Sequence, residues 1–179
     1  MKILFIDLET TGTNSKFNDI LEVAATVVDG ETLKEGASFH NVVWQPAQAL
    51  AHMDSWCRET HTQSGLVDEV VESSRILSQV DEALSLFINV HFKDNIKPPL
   101  AGNSVHFDLS FIKEHMPRTA ALLSHRIVDV SGMTRTLRML GVDVVTAGSG
   151  VVAHRAVPDV RQSIDQLHLI RAAVLKGKT

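Results

Sequence analysis

Asp7 and Glu9 are the first residues whose types and spacing could do chemistry. They end an apolar run, Lys2 to Leu8, continuous enough to read as a strand buried on both faces, and the chain breaks just after them at Thr10-Thr11-Gly12. Side chains alternate along a strand, so both carboxyls project to the same side, roughly 7 Å apart. Like charges held there repel and resist leaving water, and hard divalent cations that prefer oxygen ligands would neutralise them. Alone, D-x-E also describes a hydrated strand end. Two further acids have distinctive settings. Asp108 falls in the first turn of a helix whose Phe107, Phe111 and Ile112 are expected to face the core, so it should point away from that core; Asp159 opens the last helix. His154 stands in the loop before Asp159, where an imidazole can approach a bound water. Taken singly, these are a helix-start acid twice over and a surface histidine.

The elements that must position these groups follow from periodicity and turn chemistry. Asp19 to Val28 reads as a second strand and Phe39 to Trp44 as a third, with a turn signal at Asp29-Gly30, which predicts an antiparallel meander. The text from Ala47 to Gly65 is polar and helical. Ser78 to Phe92 is an amphipathic helix with Val80, Ala83, Leu84, Phe87 and Ile88 on one stripe, bounded by Pro98-Pro99. A brief strand at Leu100 to Asn103 precedes a helix over His106 to His115, closed by Pro117. Arg126 to Val130 is another strand, and a helix follows from Gly132 to Leu140. A loop containing Gly148-Ser149-Gly150 leads to His154, and the last helix covers Pro158 to Val174. Strands first, then helices alternating with single strands, describe a mixed α/β layer fold, and no linker or repeat divides residues 1–179 into more than a single domain.

Composition bounds the function. The chain has 179 residues, 44% hydrophobic and 21% charged, ordinary for a globular protein. Its single cysteine, Cys57, rules out an intramolecular disulfide and reads as a packed thiol. No apolar run approaches the roughly 18 residues of a membrane span, and no cleavage pattern follows the N-terminal strand, so no membrane partner and a cytoplasmic location are expected. A net charge of −4 argues against coating long nucleic acid by phosphate neutralisation, but leaves room for a short anionic substrate met by metal ions.

In combination the acids are far less ordinary. D-x-E at the end of the first strand, N-x-x-x-x-D in a helix and H-x-x-x-x-D opening a C-terminal helix occur in that order, as FIDLETTG, GNSVHFDLSFI and HRAVPD. This resembles the DEDDh 3′→5′ exonucleases of the ribonuclease-H-like superfamily. The resemblance implies a mixed β-sheet flanked by α-helices, with Asp7, Glu9, Asp108 and Asp159 holding two Mg²⁺ or Mn²⁺ ions. It implies His154 as the general base, a role imidazoles suit because histidine titrates near neutrality, and nucleoside 5′-monophosphates as products.

A finer likeness, in MDSWCRETHTQSGLV and RIVDVSGM, is to the oligoribonuclease family, dimeric enzymes that degrade very short RNAs. By that likeness Trp56 stacks near a base and His61 lies beside the substrate, with Thr11 and Thr13 alongside. Ser104, Arg126 and Ser131 match positions that bind the phosphate end, and His125 occupies the place of a tyrosine contributed across the dimer. The sequence departs from the family at three points: Thr13 replaces a leucine wedge, His125 replaces that tyrosine, and Phe107 stands where a glutamine is expected. The expected activity is therefore a metal-dependent exoribonuclease on short single-stranded oligonucleotides, working as a homodimer. A broader 3′→5′ exonuclease on single-stranded DNA or longer RNA is the alternative, and a catalytically silent nucleic-acid-binding module is disfavoured because none of the five motif residues is missing.

Overall fold

The computed structural model describes residues 1–93, 96–147 and 154–176. Lys2–Thr10 (β1), Ile20–Asp29 (β2) and Glu35–Val42 (β3) form the expected antiparallel meander. β3 starts well before Phe39 because it is an edge strand whose half-exposed, polar residues carry little apolar signal. Three short helices follow, Ala47–Ala51 (α1), Ser55–Gln63 (α2) and Leu66–Glu72 (α3), then the long Leu77–His91 (α4). Leu100–Gly102 (β4), His106–His115 (α5), Pro117–Leu122 (α6), Ile127–Asp129 (β5), Val130–Met139 (α7) and Ala156–Lys176 (α8) complete the described chain. α6 escapes sequence reading because Pro117, which closes α5, also opens the next helix. The loop expected around Gly148-Ser149-Gly150 lies outside the described residues.

The sheet order is β3-β2-β1-β4-β5, with β4 parallel to β1 and β5 parallel to β4. Alternation along β1 and β2 sorts the core into two layers. Leu4, Ile6, Leu8, Val23, Ala25 and Val27 pack against α4 and α5 through Val80, Leu84, Ile88, Phe111 and Ile112. Ile3, Phe5, Ala24 and Val28 face the opposite way, onto Val160, Ile164 and Leu167 of α8. Asp7 and Glu9 continue the Ile3–Phe5 set, so the strand period delivers both carboxyls to the side covered by α8. A third cluster, Leu21, Leu50, Met53, Cys57, Leu66 and Val70, seats α1 to α3 beside the end of the sheet. Cys57 is buried there as a packed thiol, and burial pushes it up to about 11.

The parallel strands carry the chain to the acidic end of β1. Gly102 sits at the tip of β4, where a Cβ would lie 2.7 Å from the Ile6 carbonyl oxygen, so only glycine lets β4 close on β1 and turn into α5. Gly102→Ala is expected to destabilise the protein by about 1–3 kcal/mol through overpacking against backbone. The check is a urea midpoint lowered at constant m-value; an unchanged midpoint would remove the steric role.

Candidate active site

Three of the motif acids converge. Carboxylate oxygens of Asp7, Glu9 and Asp159 all lie within 4.8 Å of one another. Asp159 arrives because it stands in the first turn of α8, the helix packed over the Asp7–Glu9 face of the sheet. Asp108 comes from the first turn of α5 and, against expectation, does not point away from the core. It is buried, and its Oδ1 accepts from the Leu8 backbone N–H at 2.9 Å. Leu8 lies between Asp7 and Glu9, so this bond fixes α5 to the strand at the middle of the acidic motif.

Electrostatics shows what the cluster lacks. Burial, and then the charges of Asp108, Glu9 and Asp159, push the Asp7 carboxyl well above the usual carboxylate range. Burial and then Asp159 raise Glu9 to about 8. Burial likewise raises Asp108 to about 7, against the Leu8 N–H that lowers it, and raises Asp159. Acids this close and this dry share a deficit of positive charge, and a convergent all-oxygen donor set is what a hard divalent cation such as Mg²⁺ or Mn²⁺ fits.

Four of the eight expected substrate residues stand beside the motif residues or pair with one another. Trp56 on α2 is 58% exposed rather than a core tryptophan, and its ring meets the His154 imidazole edge-on at 5.2 Å between centroids. His61, one turn further along α2, is buried with Nε2 3.0 Å from the Thr10 carbonyl oxygen. A carbonyl only accepts, so Nε2 carries the proton and Nδ1 is a bare acceptor. That Nδ1 has no hydrogen-bond partner among the described residues and lies 4.0 Å from Glu9 Oε2. Ser104 and Ser131 also meet: the Ser104 N–H donates to Ser131 Oγ at 3.0 Å, and the two hydroxyls are 3.1 Å apart. Asp129 caps α7 through the Gly132 N–H and takes the Ser131 hydroxyl at 2.8 Å, which orients it. Ser104 at φ 52° and His154 at φ 43° hold left-handed backbone at non-glycine positions, a strain that concentrates where geometry is imposed by function.

Other expected residues stand elsewhere. Thr11 closes the loop after β1, its Oγ1 accepting from the Asp19 N–H at 2.9 Å, and Thr13 is exposed on that loop. His125 and Arg126 precede β5 and are exposed, whereas Ser131 follows it. β5 runs parallel to β4, so these two residues lie toward the opposite end of the edge strand, roughly 10 Å from its acidic end.

Sequence reasoning missed Glu22 and Arg155. Glu22 pairs directly opposite Glu9 in the β1–β2 ladder and is 1% exposed. His40 Nε2 lies 2.7 Å from its Oε1, Arg155 bonds both oxygens at 3.0 Å, and the Ala156 N–H donates to Oε2 at 2.9 Å. Burial would raise its pKa, but these donors bring it down to about 2. The available signal was the parity of β2, which puts a glutamate on the same face as Glu9, beside an arginine adjoining the motif histidine.

A five-stranded mixed sheet between helical layers, with an acid cluster at the end of its central strand and an aspartate and a histidine brought over it by one helix, defines a ribonuclease-H-like nuclease. Comparison with known proteins agrees: the RNase_T exonuclease family matches residues 4–167, and the chain belongs to that family, among its DEDDh 3′→5′ exonucleases that act on nucleic acids. The chain is 36% identical to an oligoribonuclease of Vibrio cholerae over 176 residues, covering 97% of this chain and 96% of that protein. It is 34% identical to the mitochondrial oligoribonuclease of Mus musculus over 181 residues, 99% of this chain and 75% of that one. Among solved structures, exonuclease I superposes with a TM-score of 0.73 at 17% identity over 96% of this chain and 41% of that chain, a likeness of fold. No helix among the described residues is long and apolar enough to cross a membrane.

The raised carboxyls set a pH dependence. Glu9 titrates at about 8 when folded against an ordinary 4.5, so between those values the folded state binds more protons and stability falls as pH rises. Asp7, Asp108 and Asp159 act in the same direction, while Glu22, held at about 2, acts only below its ordinary range. In EDTA the melting temperature is therefore expected to drop from about pH 5 to about pH 8, with Mn²⁺ stabilising most at the upper end as it displaces those protons. A melting temperature in EDTA that climbs across this range would contradict the assignment.

Proposed function

We propose that this chain hydrolyses short oligoribonucleotides from the 3′ end, releasing nucleoside 5′-monophosphates in a divalent-cation-dependent reaction. The observation that carries this reading is the convergence of Asp7, Glu9 and Asp159, with Asp108 pinned beside them and His154 just before the same helix, supported by near full-length similarity to oligoribonucleases. Asp7, Glu9, Asp108 and Asp159 would hold two Mg²⁺ or Mn²⁺ ions, which when bound supply Lewis-acid activation of water and stabilise charge at phosphorus. His154 takes the proton of the attacking water as its oxygen bonds to phosphorus and the bond to the 3′-oxygen breaks. Trp56 offers an exposed aromatic face for the terminal base, a contact that is tolerant of base identity. His61, buried with its bare Nδ1 4.0 Å from Glu9 Oε2, supports that acid rather than touching the substrate itself. Ser104, held against a Ser131 hydroxyl whose own proton goes to Asp129, turns its hydroxyl to donate to the phosphate at the far end of a short substrate.

By the family likeness the position of His125 serves the active site of a second copy of the chain, so the reading includes a homodimer. Light scattering at micromolar concentration is expected to give twice the chain mass; a monomer fully active on dinucleotides would overturn this part. One observation favours a broader substrate range: Thr13 is exposed and too short to wedge between bases, so the loop after β1 does not by itself end the substrate after two nucleotides.

Single-turnover hydrolysis of an end-labelled dinucleotide and a seven-nucleotide strand, each as RNA and as DNA, in Mn²⁺ and Mg²⁺, tests both readings. Faster turnover of the RNA dinucleotide supports the first, and preference for the longer strand regardless of sugar supports the second. Asp7→Asn is expected to reduce turnover by about a thousandfold or more while keeping the native circular dichroism. Equal activity in that variant would overturn the exonuclease site itself.

A further inference from the structure

Arg155 is not among the motif residues, yet it makes the densest set of polar contacts near the site. Its Nε and Nη2 each donate to a Glu22 oxygen at 3.0 Å, and its Nη1 and Nη2 donate to the two Glu69 oxygens at 2.8 and 2.6 Å. Nη1 also reaches the Ser64 carbonyl oxygen at 3.4 Å. The guanidinium is thus held bidentately from two sides, by β2 and by α3, with the end of α2 as a third point. It is only 18% exposed. Fork-to-fork pairing of this kind fixes direction as well as charge, and an ammonium group cannot reproduce it.

Its neighbours in the chain give the contact a purpose. His154, one residue before, holds left-handed backbone at φ 43°, which an L side chain adopts only where surroundings impose it. Ala156, one residue after, gives its N–H to Glu22 as α8 begins. The segment that receives Arg155, α2 to α3, also carries Trp56 against the His154 ring. Two contacts therefore tie the entry to α8 to the segment on which Trp56 stands.

We infer that Arg155, clamped between Glu22 and Glu69, is a positioning residue that sets His154 in register with the Trp56 platform, so that a base stacked on Trp56 presents its phosphodiester to the imidazole. Glu22 is the anchor of this clamp rather than a fifth metal ligand, because His40, Arg155 and Ala156 already occupy both of its oxygens. The inference rests on the exonuclease reading for His154, and the clamp itself is open to a test that needs no turnover.

The experiment compares Arg155→Gln, Arg155→Lys and Glu69→Gln with the unaltered protein. Kinetics use the RNA dinucleotide, calorimetry uses Mn²⁺ alone, and hydrogen exchange is read at residues 154–156. In Arg155→Gln, kcat is expected to fall by about 10- to 100-fold with KM and Mn²⁺ affinity within about threefold of the parent, since a misplaced base costs rate rather than binding. Arg155→Lys restores charge but not the fork and is expected to recover only part of the rate, and Glu69→Gln, which leaves the Glu22 pair intact, loses about three- to tenfold. Exchange at 154–156 is expected to quicken by about tenfold or more in Arg155→Gln. Unchanged exchange overturns the clamp whether or not the protein cleaves RNA. Quickened exchange with parental kcat, or a loss of Mn²⁺ affinity matching the loss of rate, overturns the positioning role. Loss of the exonuclease reading would show differently, as cleavage that is indifferent to Asp7→Asn.

Discussion

The structure turns on the repulsion among four carboxyls placed at the dry end of one sheet. Asp7 and Glu9 cannot avoid each other, because the period of β1 puts them on one face, and Asp159 meets them because α8 covers that face. Partial burial removes much of the water that would screen them, and the outcome is a set of acids that hold protons above their usual range. A fold tolerates such a cluster only where surrounding packing over-determines it. Here that packing is extensive: two apolar layers clamp β1 from both sides, and Gly102 lets β4 approach closely enough to bring α5 and its Asp108 to the same end.

Beside this deficit of positive charge stands a second acid of opposite fate. Glu22 lies across the ladder from Glu9, on the same face and more deeply buried, yet it is fully ionised because four donors meet it. The contrast separates a candidate cation site from its scaffold by physical state rather than by residue type. Acids left without partners are those free to take a cation, and the acid already saturated by an arginine, a histidine and a backbone amide belongs to the frame that holds them.

Much of this was legible in the sequence, and the reasons are local. The continuous apolar run of β1, the amphipathic stripe of α4 and the proline-marked start of α8 each depend on neighbours within a few residues, and each was placed nearly at its true bounds. The motif acids were readable because they sit at fixed offsets from strand and helix ends. Asp108 was misdirected because a first-turn aspartate ordinarily serves its own helix, whereas this one serves a backbone N–H a hundred residues away on β1. Arg126 was grouped with Ser131 by family likeness, and in the fold the two stand at opposite ends of the short β5.

Glu22 and Arg155 show what kind of information a sequence withholds. Neither type nor spacing distinguishes them: a glutamate in an apolar strand and an arginine after a histidine are both commonplace, and 133 residues separate them in the chain. Their pairing exists only once β2 lies beside β1 and α8 crosses both strands. The same crossing that creates the acid cluster therefore also supplies the contact that orients the histidine above it. Any change that moved α8 to relieve the repulsion would pull Arg155 off Glu22 and Glu69 and leave buried charges unpaired, a cost larger than the repulsion of exposed acids would be. In this fold the ion-paired glutamate keeps the unpaired acids together.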